Sequence, residues 1–233
     1  MSARAASAAS TGGGTTKSTK RTTKSAKSSG TKERRTQAER RASSTRRLLD
    51  ATSIVIAKRG TANVSFAEIA KVASCSHGLP GYLFGSKTNL LLAFVDDVLA
   101  GYRGYMLAPA VGDKTGLDAL LAGLTALLHS FGDPVPYTRA IYVLLGEAPG
   151  LTPELQAALK EHQDNARQLL RADIVQGIEE GSIRSDVDAD AQATVLFGMI
   201  RGLGQQVLLD PKAVDIPSVT DAAIDTVRRT LEA

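Results

Sequence analysis

Five side chains that can bond to a phosphate group, Ser65, Ser76, His77, Tyr82 and Lys87, fall within one stretch of 23 residues. Their chemistry is recognition of an anion rather than bond making. His77 can donate to a phosphate or to a base edge, and Ser76 and Tyr82 to a sugar–phosphate backbone. Lys87 follows Gly85-Ser86 at the start of a long helical pattern, where a lysine and a helix N-terminus together favour phosphate. Catalysis is not suggested anywhere: no nucleophile, base and orienting group can be assembled, and His77, His129 and His162 are too scattered for a metal. Gly12-Gly13-Gly14 follows no strand, so it is not a dinucleotide loop. No enzymatic activity and no cofactor are expected.

Residues 65 to 90 must hold these donors in place. Ser65 can cap a helix, with Glu68 three residues on reaching back to its amide as in a capping box. Phe66, Ile69, Ala70 and Ala73 then share one face, and Lys71 points away. Ser74, Cys75 and Ser76 make a turn, and Ser76 is a suitable cap for a second helix. Helix, tight turn and second helix is an arrangement that presents a helix end to DNA.

Gly60, Ser65, Ile69-Ala70, Ser76, Gly78, Tyr82, Phe84, Ser86-Lys87 and Leu90 resemble the helix-turn-helix block of the TetR family of bacterial transcription regulators, over about residues 44 to 92. The resemblance implies double-stranded DNA as partner and contacts from Ser65, Ser76, His77, Gly78, Leu79, Tyr82 and Lys87. The chain departs from the family pattern at Ser74, where Gly is usual, at Pro80, usually aliphatic, and at Gly81, usually Tyr. Pro80 lacks an amide hydrogen and disfavours helical geometry at Leu79, which predicts a distorted or late-starting recognition helix.

Charge is uneven. Residues 1–47 carry a local +11, and residues 48–233 a local −7. Residues 1–32 hold seven basic residues, no acid, and no apolar side chain larger than Ala after Met1. A segment so poor in buriable surface cannot offset its ordering entropy, so residues 1–35 are expected to be a disordered basic tail that adds salt-sensitive affinity for phosphates. A solubilising extension and an over-extended start are the alternatives. The tail lacks the apolar run of a secretory signal, and no stretch of about 20 apolar residues could span a membrane. A cytoplasmic, nucleoid-associated protein is expected. Cys75, the single cysteine, reads as a small packing residue.

From Thr36 onward the pattern is helical. Helices are predicted over 36–59, from about 66, from about 76, from Lys87 through about Tyr102, and then near 115–131, 136–147, 153–180, 189–209 and 217–231. This is an all-α protein of about nine helices, with a three-helix DNA-binding head (36–90) before a C-terminal ligand-binding and dimerisation bundle (91–233). Arg46 and Arg47, early in the first helix, can flank a DNA backbone. The 189–209 helix is apolar nearly all round, and Gly198 and Gly202 permit close approach. With 217–231 it matches the family's dimer bundle, which implies an inverted-repeat operator. His162 shares a stripe with Leu155, Leu159, Ala166 and Leu169, and His129, Tyr137, Tyr142 and Arg201 lie near apolar faces, a lining suited to a small, mostly apolar effector. The reading is a homodimeric TetR-like regulator, a repressor released by effector. The alternative is a nucleoid-type architectural DNA binder driven by the tail.

Overall fold

The computed structural model describes residues 36–233, and the expected basic tail lies outside them. The described residues form nine helices and no strand; the one β-bridge joins Ile183 to Glu232. α1 (Gln37–Arg59) opens on a full capping box, Thr36 accepting from the Glu39 amide at 3.2 Å and its own amide donating to the Glu39 carboxylate at 2.8 Å. Leu48, Leu49, Thr52, Val55 and Ile56 are the buried stripe of α1, and Gly60 ends it at a positive φ of 77°.

α2 (Phe66–Val72) is capped by Ser65, which accepts from the Glu68 amide at 3.2 Å. The predicted capping box is only half formed, because the Glu68 carboxylate turns instead to Arg59 at 2.8 Å. The turn that follows places Ser74 at φ 50°, the one non-glycine at positive φ among the described residues. That backbone state is why glycine suits the position. α3 (Gly78–Phe84) has no side-chain cap, and Ser76 does not start it, contrary to the expectation from sequence. The helix starts late, in keeping with Pro80. Pro80 becomes its third residue and is buried, and an amide there has no intrahelical partner to lose.

α4 begins at Ser86, whose hydroxyl accepts from the Asn89 amide at 3.1 Å. The sequence predicts an end near Tyr102, but the helix continues: Lys87–Gly101 is α-helical, Tyr102–Leu107 is a π-helical segment, and Ala108–Val111 is α-helical again. The wider π turn carries the chain through Gly104, and Pro109 follows as the second residue of the last α-helical segment. The bundle is completed by α5 (Gly116–His129), α6 (Pro136–Glu147), α7 (Pro153–Glu180), α8 (Ala189–Leu209) and α9 (Ile216–Leu231).

One hydrophobic core runs from Leu48 in α1 to Leu231 in α9. Leu48, Ile56, Ile69, Leu90 and Phe94 are fully buried where the first helices meet, each contributing about 1.5–3 kcal/mol of burial. α1 packs most extensively on α6, so the first helices are seated on the bundle. α8 packs on α7 and α9 on α5.

Candidate functional site

The helix-turn-helix surface is built from few fixed points. Ser76, His77, Gly78 and Lys87 are exposed, Leu79 is half-buried, and Tyr82 is 75% exposed. Within α3, Gly81 lies against the Phe66 ring, where a Cβ would make ordinary contact at 3.6 Å. Lys87 does not extend freely: its ammonium donates to the Thr61 carbonyl at 2.8 Å. Two of its three protons remain for another acceptor. Ser65 is engaged in its cap. Arg47 is exposed, whereas Arg46 folds back to Asp50 at 3.1 Å and Asp97 at 3.2 Å and lies over the Tyr137 ring at 5.0 Å.

Thr61 is the junction between this surface and the bundle. Its amide donates to Glu147 Oε2 at 3.1 Å, its hydroxyl donates to the same carboxylate, and its carbonyl accepts from Lys87. Glu147 is the last residue of α6, 86 positions away. A second junction sits at the other end of α6, where the Tyr137 hydroxyl donates to Asp50 Oδ1 at 2.9 Å and its ring rests on Phe94 at 5.4 Å. Burial first, then the bond to Asp50, raises the Tyr137 pKa far above the usual phenol range.

Between α4, α6, α7 and α8 lies a cavity of about 110 Å³, bounded by Leu99, Tyr102, Met106, Leu127, Ile141, Phe197 and Ile200 among others. An adjoining cavity of about 430 Å³ extends toward α5 and shares Arg103, Leu107, Leu127, Ala166, Leu169, Phe197 and Ile200. Tyr142, His162 and Arg201 all face the first cavity. The Arg201 guanidinium lies 5.0 Å from the Tyr142 ring centroid, a cation–π contact. The Tyr142 hydroxyl donates to the Ile200 carbonyl at 3.4 Å. Gly204 makes this possible, since a Cβ there would collide with the Tyr142 hydroxyl.

Burial, with Arg201 and Arg103 nearby, pulls the His162 pKa down to about 4, so the ring is neutral at physiological pH. Burial alone pushes the Asp173 carboxyl, in the second cavity, up to about 6. Of the five residues expected to bind ligand, three meet here. Tyr137 belongs instead to a separate 290 Å³ cleft with Arg46, Asp97 and Tyr105. His129 is exposed near the end of α5 and lines neither cavity, because it lies on the face opposite the buried Leu124 and Leu128. Arg103, Asp173, Thr61 and Glu147 are absent from the residues that sequence reasoning selects, and only the positions of Arg103 and Asp173 on cavity-facing helices offer a signal for them.

Residues 116–216 match the family model of the tetracyclin repressor-like C-terminal domain. The chain is 26% identical over 185 residues to the HTH-type transcriptional regulator TtgR of Pseudomonas putida, covering 77% of this chain and 87% of that protein. By these matches the chain is similar to TetR-family regulators. Another relative is the HTH-type transcriptional repressor KstR2 of Rhodococcus jostii, 28% identical over 149 residues, or 61% of this chain and 69% of that one. The TetR fold is shared with AibR, solved in complex with isovaleryl coenzyme A and operator DNA, at a TM-score of 0.64 and 19% identity over 78% of this chain and 97% of that one. No helix of the described residues is long and apolar enough to cross a membrane.

Proposed function

We propose that this TetR-family regulator is a homodimeric repressor, that its head (36–90) binds an inverted-repeat operator, and that a small, mostly apolar effector in the bundle (91–233) releases it. The observation that carries this reading is that two helices lining the cavity, α4 and α6, are also the two that hold the head. The KstR2 repressor and AibR, crystallised with both a ligand and an operator, support it by relationship. Neither the described structure nor any relative favours the architectural alternative.

At the operator, Ser76, His77, Gly78, Leu79 and Tyr82 form the surface offered to the groove, with Arg47 and Lys87 toward phosphates and Ser65 fixing α2. Arg46 reaches DNA only by giving up its two carboxylate partners. In the bundle, a molecule that fills the cavity presses on the π-helical segment of α4 and on Tyr142 of α6. Such segments are rare local distortions of an α-helix that frequently lie at functional sites. A change there travels along α4 to Lys87 and along α6 to Glu147, and both end on Thr61. Effector shifts the two states only by its difference in affinity for them.

Selection of bound fragments from a random DNA library at near-physiological salt tests the reading. Recovery of an inverted repeat is expected. Fragments with no common motif, and binding that vanishes as salt rises, would overturn it in favour of tail-driven binding.

A further inference from the structure

The first cavity carries an unbalanced set of polar groups. Arg103 and Arg201 are its charged lining residues, and no carboxylate faces them there. Neither guanidinium is ion-paired among the described residues. One Arg201 nitrogen, Nη1, and the His162 Nδ1 are buried without a hydrogen-bond partner in the protein. Unmet polar atoms in a buried position are costly, and buried groups are ordinarily satisfied. Both belong to side chains on the same cavity wall, from α8 and α7, and apart from Arg103 and the amide of Asn165 the rest of the lining is aliphatic or aromatic. The one acid of the combined space, Asp173, lies in the second cavity. One end of the space is therefore built for an anion and the rest for hydrocarbon.

We propose that the effector is an amphipathic organic acid, its carboxylate held by Arg201 and His162 with Arg103 beside them. Its hydrocarbon body lies along Leu127, Leu169 and Phe197 into the second cavity. This rests on the effector reading above and specifies its chemical class. The carboxylate meets the unsatisfied Arg201 nitrogen with a charge-assisted bond, while Tyr142 holds the guanidinium in place from its other side. The titratable groups that line the cavity with His162 are Arg201 of α8, Arg103 and Tyr102 of α4 and Tyr142 of α6, and after burial it is the two arginines that hold its proton affinity down. A bound carboxylate offsets them, so the acid also raises the His162 pKa.

The test uses the full-length protein and three ten-carbon probes that differ only in the head group: decanoate, 1-decanol and decylamine. Calorimetry is expected to show decanoate binding at least about tenfold more tightly than decanol, the scale of one hydrogen bond to a charged group, and decylamine more weakly than either. Arg201→Gln should bring decanoate to the level of decanol, and Arg201→Lys should restore part of the difference. In NMR titrations the His162 pKa should move up from about 4 with decanoate and stay in place with decanol. Equal binding of acid and alcohol, or preference for the amine, overturns the carboxylate assignment while leaving the cavity as the site. An Ala166→Trp variant separates the two readings: binding that survives this filled cavity, or no binding of any probe to the native protein, overturns the effector site itself.

Discussion

His162 and Asp173 stand eleven residues apart on α7, and burial favours the neutral form of both, pulling the histidine down to about 4 and pushing the aspartate up to about 6. Their effects on stability have opposite signs. For His162, the unfolded chain takes up a proton below about 6.5 and the folded one only near 4, so stability falls as pH drops through that window. For Asp173, the unfolded chain loses its proton near 3.8 and the folded one near 6, so stability falls as pH rises between them. The histidine effect is on the order of 3 kcal/mol. The aspartate effect is smaller, since its carboxyl is partly open to solvent and screened. The two therefore oppose each other from pH 4 to 6, and denaturant unfolding of the native protein should vary only weakly across this range. Asp173→Asn should expose a steeper curve that rises with pH, and His162→Gln one that falls. A native profile unchanged by either substitution would show that neither group is perturbed. The sequence places His162 near an apolar wall because it lies in line with Leu155 and Leu159. It gives no such indication for Asp173, whose burial depends on α4 and α5 coming close.

The boundaries of the elements are the most legible property of the chain, because local chemistry sets them. Thr36, Ser65 and Ser86 cap α1, α2 and α4, and Gly60 and Gly181 end α1 and α7 at positive φ. α4 is the exception: its continuation through Gly104 and Pro109 depends on packing over α5, which no local signal carries. The turn of the helix-turn-helix holds an untaken stabilisation. Ser74 sits at a φ of 50° under backbone strain, which for a non-glycine residue costs roughly 1–2 kcal/mol, partly offset by the greater unfolded freedom of glycine. Ser74→Gly should raise the melting temperature by a few degrees without altering operator affinity. A lowered melting temperature would mean that the serine side chain contributes more than its backbone loses.

At the scale of the whole molecule, the proposed dimer rests on α8. Ala193, Leu196, Ile200, Gly204 and Val207 turn inward, which leaves Val195 63% and Leu209 83% exposed, with Gly198 and Gly202 open beside them. The sequence indicates that this helix needs cover on several sides, and one subunit covers one side. Because a Cβ at Gly198 meets nothing within 4 Å, Gly198→Glu is tolerated by the folded subunit and acts only where a second copy would sit. Light scattering should give a monomer mass, with an unchanged helical circular dichroism spectrum and operator binding lost. A dimer of native affinity would place the interface elsewhere.

The three polar groups of Thr61 have a consequence for rebuilding such proteins. All are committed, one to Lys87 within the head and two to Glu147 within the bundle, and Glu147 also lies where a side chain on Gly60 would have to go. The seam between the two halves is therefore a three-dimensional lock rather than a position along the chain. A chimera that grafts this head onto another regulator's bundle must carry Glu147 with it, or the transplanted reading surface arrives without the anchor that sets its angle.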